Sequence, residues 1–211
     1  MLTIEQVDTK SKSQVDRFVR LPFRLYKNHP QWVPPLLMDS KMYLNKDKHP
    51  FYEHSEADFF IAKQDGRDVG RIAALNNRRF NQYHGAKQCQ FYFFDCEEDL
   101  AIVKSLFERV FDWAHQRGLD QIVGPKGFGP LDGYGLLVEG YEHRQMMNMM
   151  NYNYPYYPKL VETLGFEKEV DFVSCYLNGN EFKLPQRIHS IAERVQNRGT
   201  LTVHRFTKKK V

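Results

Sequence analysis

Apolar positions along the chain change period several times, and each change predicts an element. Leu2 to Val7 reads as a first strand. Val15, Phe18 and Val19 then recur at helical spacing, predicting a helix over 16–26 that Pro22 should break. HPQWVPPLLMDSKMYLNKDKHPFYEH follows, rich in proline and aromatics, and is expected to wander without regular structure. Ala57–Gln64 and Arg67–Leu75 are two β-like runs flanking Asp65-Gly66, a dipeptide suited to the positive φ angles of a tight hairpin. QFYFFDC, from Gln90 to Cys96, reads as a buried strand. Leu100, Val103, Phe107, Val110, Phe111 and Ala114 fall on one helical face, and Gly118 should stop that helix.

Gln121-Ile122-Val123 is short enough for one further strand, and alternation of strand, helix and strand predicts an α/β layer. The glycine-dense segment GPKGFGPLDGYGLLVEG lacks the spacing of a nucleotide loop and opens no helix. It is expected to pass over the mouth of a cleft, since glycine permits tight turns and close approach. Met146, Met147, Met149 and Met150 follow as adaptable apolar lining or core filler. From Met149 to Tyr176 the pattern reads strand, aromatic entry, short helix, glycine stop, strand, with Leu160, Val161 and Leu164 on the helix's apolar side. Pro185 to Arg198 predicts a last helix, with Ile188, Ile191, Ala192 and Val195 on one face and Gly199 as its stop.

Composition narrows the class. With 211 residues, 42% hydrophobic and 27% charged, the chain suits a folded domain with one sizeable core. The formal charge of +4 is mild, and the Lys208–Lys210 run is expected to be a solvated tail, so no nucleic-acid partner is implied. No apolar run approaches a membrane span and the opening residues lack a signal-peptide core, so no membrane partner is expected. Three cysteines, Cys89, Cys96 and Cys175, with no CxxC point to a reducing cytoplasm. HPFYEH has the wrong spacing for a metal-binding helix, and no metal is expected.

Several motifs carry a resemblance. WVPPL, VGRIAA, GPKGF, GLLVEGY and YNYPYYPKLVETLGF together resemble an uncharacterised bacterial family within the GNAT superfamily of N-acyltransferases. The resemblance implies an α/β GNAT-like fold, a mixed central sheet flanked by helices, over residues 1–180. It further implies that 181–211, a helix plus a strand, starts a second repeat, because Leu201-Thr202-Val203 echoes Leu2-Thr3-Ile4. That last strand would dock on the domain or pair with a second copy, as in a homodimer.

The implied activity is transfer of an acyl group from acetyl-coenzyme A, or another acyl-coenzyme A, to a small-molecule amine. The alternative is a non-catalytic GNAT-like domain that binds a ligand or partner. In such domains the short helix lines the acyl-coenzyme A cleft, which places Phe93, Phe94, Asn153, Tyr156 and Tyr157 at one groove between the fourth and fifth strands. Tyr157 is then the candidate acid for the leaving thiolate, since the usual tyrosine position is Val161 here. Glu142, with Glu139 and His143, supplies candidate bases. Asn153 either bridges to coenzyme A or caps the short helix. The family's pyrophosphate loop falls on Asp95–Asp99, where this chain has acids and no glycine. Asp95 and Glu98 match a capping box there, with Lys126 or Arg144 as the cations that could compensate.

Overall fold

The computed structural model describes residues 1–146, 149–175, 177–202 and 204. Met147, Tyr176, Val203 and the Lys208–Lys210 run lie outside the described residues. The chain divides into two units, Met1–Phe172 and Val173–Val211.

Five strands form one sheet in sequence order: β1 (Leu2–Gln6), β2 (Glu56–Gln64), β3 (Arg67–Asn76), β4 (Gln88–Cys96) and β5 (Gln121–Val123). The first four pair antiparallel and β5 joins β4 in parallel, so the sheet is mixed. The β2–β3 hairpin turns on Asp65 and Gly66, at φ 50° and 85°, as the dipeptide predicts.

Alternation along the strands divides the core. Phe60, Ile72, Phe91 and Phe94 pack on α4 (Leu100–His115) and α5 (Tyr156–Thr163). Phe59, Ile61, Ala73 and Leu75 pack with Val15, Phe18 and Val19 of α1 (Lys12–Leu25) and with Leu44 of α2 (Leu37–Leu44). The sheet is thereby covered on both faces. A third short helix, α3 (Arg78–His84), leads from β3 toward β4.

Four expectations need correction. Pro22 does not break α1; the helix runs on to Leu25, because the carbonyl that proline deprives of a donor finds another. The segment expected to wander contains α2 and a 3-10 turn at Pro50–Glu53, both packed under β2 and β4. The buried face of α4 is Ile102, Val103, Leu106, Phe107, Val110, Trp113 and Ala114, while Leu100 and Phe111 lie toward solvent. The strand expected after Gly165 is absent among the described residues: Val170, Phe172 and Val173 are exposed and pair with no strand.

The end of α5 follows its sequence signal. Gly165, at φ 88°, lets its N–H reach Glu162 O at 2.9 Å while Phe166 N–H reaches Val161 O at 3.3 Å. This double closure turns Phe166 back onto Phe91 and Phe107.

In the second unit, α6 (Gln186–Asn197) forms where predicted, with Ile188 and Ile191 exposed. Leu201 and Thr202 form no strand. Among the described residues no helix is long and apolar enough to cross a membrane, and no group of His, Cys, Asp and Glu is placed to hold a metal ion.

One core amide has no partner on either of its atoms among the described residues. Gln90 is 1% exposed, and neither atom of its amide has a hydrogen-bond partner. Replacing it by methionine keeps the length and removes the unmet polar groups, so Gln90→Met should stabilise the fold by about 1–2 kcal/mol. Urea unfolding checks this; a midpoint that falls would mean the amide is satisfied in solution.

Candidate functional site

The site is built where β4 stops behaving as a regular strand. Arg71 pairs with Asp95, yet two residues on, Ala73 pairs with Tyr92, so β4 carries one extra residue. Phe93 absorbs it at φ 49°, a conformation costly for a bulky side chain. The bulge puts Tyr92 and Phe93 on the same face, toward α1, while Phe91 and Phe94 face α4. On the other side β5 pairs only with Gln88–Gln90 before leaving. The chain after β5 touches β4 once more, through Lys126 N–H to Phe91 O at 2.8 Å.

Beside the bulge lies a cavity of about 220 Å³. Its floor is β4 with Arg71. One wall comes from the α1–α2 connection and α2, including Trp32, Leu36, Asp39 and Tyr43. The opposite wall comes from two irregular stretches, 125–145 and 149–153. The glycine-dense segment thus does what its composition suggests. A side chain at Gly127 would collide with Asp132, and one at Gly133 with the Asn151 amide. Glycine at these places lets the wall fold tightly and seat Asp132 against the cavity.

Two amides brace the cavity, Gln145 between the walls and Asn153 within one of them. Gln145 accepts from Val33 N–H at 3.1 Å and donates to Met150 O at 2.8 Å. Asn153 is 2% exposed and fully used: it accepts from Leu137 N–H at 2.7 Å and donates to Leu137 O and Tyr154 O at 3.1 and 3.0 Å. The N-cap of α5 is Pro155, so Asn153 does not cap that helix. Asn153→Ala would strand the Leu137 N–H, while the Leu137 carbonyl keeps the Tyr141 hydroxyl at 2.6 Å, and should cost about 1–3 kcal/mol. Thermal unfolding reads this directly, and an unchanged midpoint would refute the pinning role.

Below the cavity a buried polar chain crosses from α1 to α5. Arg71 is 5% exposed; its Nε donates to Asp95 Oδ2 at 2.8 Å and its Nη2 lies 2.7 Å from the same oxygen. Its Nη1 donates to Phe18 O at 2.9 Å. That carbonyl is the one Pro22, four residues on, leaves without a helical donor. The guanidinium also sits 5.0 and 5.1 Å from the ring centres of Phe18 and Phe93. Asp95 Oδ1 accepts from the Tyr26 hydroxyl at 3.1 Å, and Tyr26 lies 3.3 Å from the Tyr157 hydroxyl. Burial raises both phenols well above their ordinary range.

The sequence-predicted residues are distributed as follows. Phe93, Phe94, Asp95 and Asn153 line the cavity. Tyr156 and Tyr157 lie outside its lining, at the end of β4. Cys96 N–H donates to the Tyr157 hydroxyl at 2.7 Å, and the Tyr156 hydroxyl donates to Cys96 O at 2.7 Å. Glu142 and His143 are exposed, pair with each other at 3.2 Å, and do not reach the cavity; Glu139 is exposed as well. Of the methionines expected to line a site, Met149 and Met150 do so and Met146 is exposed.

The capping box is corrected. Asp95 belongs to β4, and α4 is capped by Asp99, whose Oδ1 accepts from Ala101 N–H at 2.8 Å. Glu97 is bridged by Arg24 and Arg67 at 2.7 and 2.9 Å. Lys126 does not approach these acids: its ammonium stacks 3.8 Å from the Phe80 ring centre.

These residues do not fit coenzyme A in the pose that the resemblance implies. The start of α4 offers an acid on its donors and no glycine. The Cys96 N–H and carbonyl, at the end of β4 where the resemblance places the ligand groove, are taken by two tyrosine hydroxyls. Phe94 packs at 5.2 Å on Tyr157, closing the gap between β4 and α5.

Reading from sequence missed Arg71, Tyr43 and Asp132. A lone arginine inside the apolar run VGRIAAL and an aspartate between Leu131 and Gly133 were the available signals.

No protein-family model matches the chain. Over 166 residues it is 33% identical to a bacterial ceramide synthase of Caulobacter vibrioides, covering 78% of this chain and 43% of that protein. It is 26% identical over 191 residues to protein YghO of Escherichia coli, covering 90% of this chain and 48% of that one. The chain therefore spans about half the length of the curated relatives it matches. Among solved structures it superposes on a tandem GNAT protein from the clavulanic acid biosynthesis pathway, with TM-score 0.52 and 14% identity over 78% of this chain and 43% of that one. An aminoglycoside acetyltransferase from an uncultured soil metagenomic sample, in complex with sisomicin, gives TM-score 0.50 at 12% identity, over 84% of this chain and 97% of that one. The chain has a GNAT-like fold. In this fold the cavity lies on the α1 and α2 side of β4, and the tyrosines close the α5 side.

Proposed function

We propose that this GNAT-like domain binds the amine acceptor of an N-acyltransferase, and that the amine occupies the cavity beside the β4 bulge. The observation that carries the reading is the cavity's make-up: aromatic and apolar walls, with carboxylates at Asp39 and Asp132, next to the point where β4 and β5 part. An amine with an apolar body matches such walls, since buried polar groups are few and placed to orient. Two comparisons support the class. One relative is a ceramide synthase, whose product is an amide, and one structure of the same fold holds the amine sisomicin.

The closed donor side favours a binding role for this domain over a self-contained catalytic one. In this reading the acyl donor is not held by the usual cradle at the start of α4. Calorimetric titration with a long-chain 2-amino alcohol, and separately with sisomicin, tests the proposal. Saturable binding of either, in the micromolar range, is expected. If neither amine binds, the acceptor-binding reading is wrong.

A further inference from the structure

Asp132 is half-buried in the cavity wall, and its hydrogen bonds fix it in place. Its Oδ1 accepts from the Tyr43 hydroxyl and its Oδ2 from Gly129 N–H at 2.7 Å. Among the described residues no Lys or Arg pairs with it. Arg71, which lines the same cavity, is committed to Asp95 and the Phe18 carbonyl, and Lys41 of α2 to Asp16. His49 faces the same carboxylate, but burial lowers its pKa and favours the neutral ring. Asp39 lines the facing wall and adds to the negative potential at the Tyr43 hydroxyl. Aromatic faces surround the position, with Tyr43 packed at 5.6 Å on Phe93 and Tyr92 lying over Gly133.

A fixed carboxylate without a cation, inside an aromatic cavity, is half of an ion pair. We infer that Asp132, held by Tyr43 and Gly129, is the anchor for a substituted ammonium ion, so that this wall selects ligands by positive charge. The inference rests on the acceptor-binding reading and assigns it a residue. The glycines gain a reason at the same time, because a side chain at Gly127 would push Asp132 out of its seat. Tyr43 orients the carboxylate and is a positioning residue.

The test uses three probes that share one alkyl chain: octylammonium, octyltrimethylammonium and octanol. Binding is followed by the fluorescence of Trp32, which lines the cavity. The intact chain should bind both cations at least tenfold more tightly than octanol. Asp132→Asn, which keeps size and some hydrogen bonding, should remove most of that preference while leaving octanol within about twofold. Tyr43→Phe should weaken the cations by a smaller factor, and Asp39→Asn by less again. A circular dichroism melt of each variant confirms that the fold persists. Equal loss of octanol and octylammonium in Asp132→Asn would make Asp132 merely structural and overturn the inference. Unchanged cation preference in that variant would also overturn it, while leaving the acceptor-binding reading intact. No binding of any probe by the intact chain would remove both.

Discussion

Arg71→Met should destabilise the fold by about 3–5 kcal/mol, the largest loss expected of any single polar substitution here. Two separate costs add. Asp95 keeps a buried charge with only the Tyr26 hydroxyl beside it. The Phe18 carbonyl also loses its donor, since Pro22 cannot supply one. The costs can be separated. Adding Asp95→Asn removes the stranded charge and should recover the greater part of the loss. Adding Pro22→Ala to Arg71→Met restores a helical N–H for Phe18 and should recover about 1 kcal/mol. In the intact chain, where Arg71 already fills that carbonyl, Pro22→Ala should gain little. Urea unfolding of the set forms a mutant cycle. A loss below about 1 kcal/mol for Arg71→Met, or an equal effect of Pro22→Ala in both backgrounds, would defeat the account.

Much of the fold was legible because local signals agreed with the pattern. Asp65-Gly66 dictated a hairpin, and the wide apolar face of 100–114 dictated a helix. Gly165-Phe166 marked a helix end whose two closing hydrogen bonds the structure contains. What was illegible depended on contacts distant in sequence. Proline normally ends a helix, and only Arg71, 49 positions later in the chain, makes Pro22 tolerable. The one-residue excess in β4 leaves no mark in QFYFFDC, because a run of aromatics fits either register. Asp132 looked like any loop acid until the fold brought Tyr43 to it, 89 residues away in the chain. The acids at 95–99 were visible in the sequence, but their neutralisation was not. Arg71 takes Asp95, and Arg24 with Arg67 takes Glu97, each through tertiary contact.

Acetyl-coenzyme A should bind this chain with a Kd of about 1 mM or weaker, at least a hundredfold above a micromolar site. The electrostatic penalty alone is smaller than four acids in sequence suggest. Asp95 and Glu97 are paired, which leaves exposed Glu98 and the capping Asp99 facing any pyrophosphate. One carboxylate at about 6 Å from a phosphate charge costs about 3 kcal/mol at an effective dielectric near 20, and less once solvent screens it. The steric and hydrogen-bonding term is therefore the decisive one. Cys96 N–H and C=O are held by Tyr157 and Tyr156, and Tyr157 is entirely buried. Admitting a pantetheine arm along that edge requires both hydroxyls to leave, and each buried group so stranded costs about 1–3 kcal/mol. Two variants separate the terms in calorimetry. Glu98→Gln with Asp99→Ser relieves charge while keeping a cap, and should improve affinity by less than about tenfold. Tyr156→Ala opens the edge and should improve it more. Micromolar binding by the unaltered chain, insensitive to both changes, would show that coenzyme A uses this edge freely and would restore a self-contained acyltransferase.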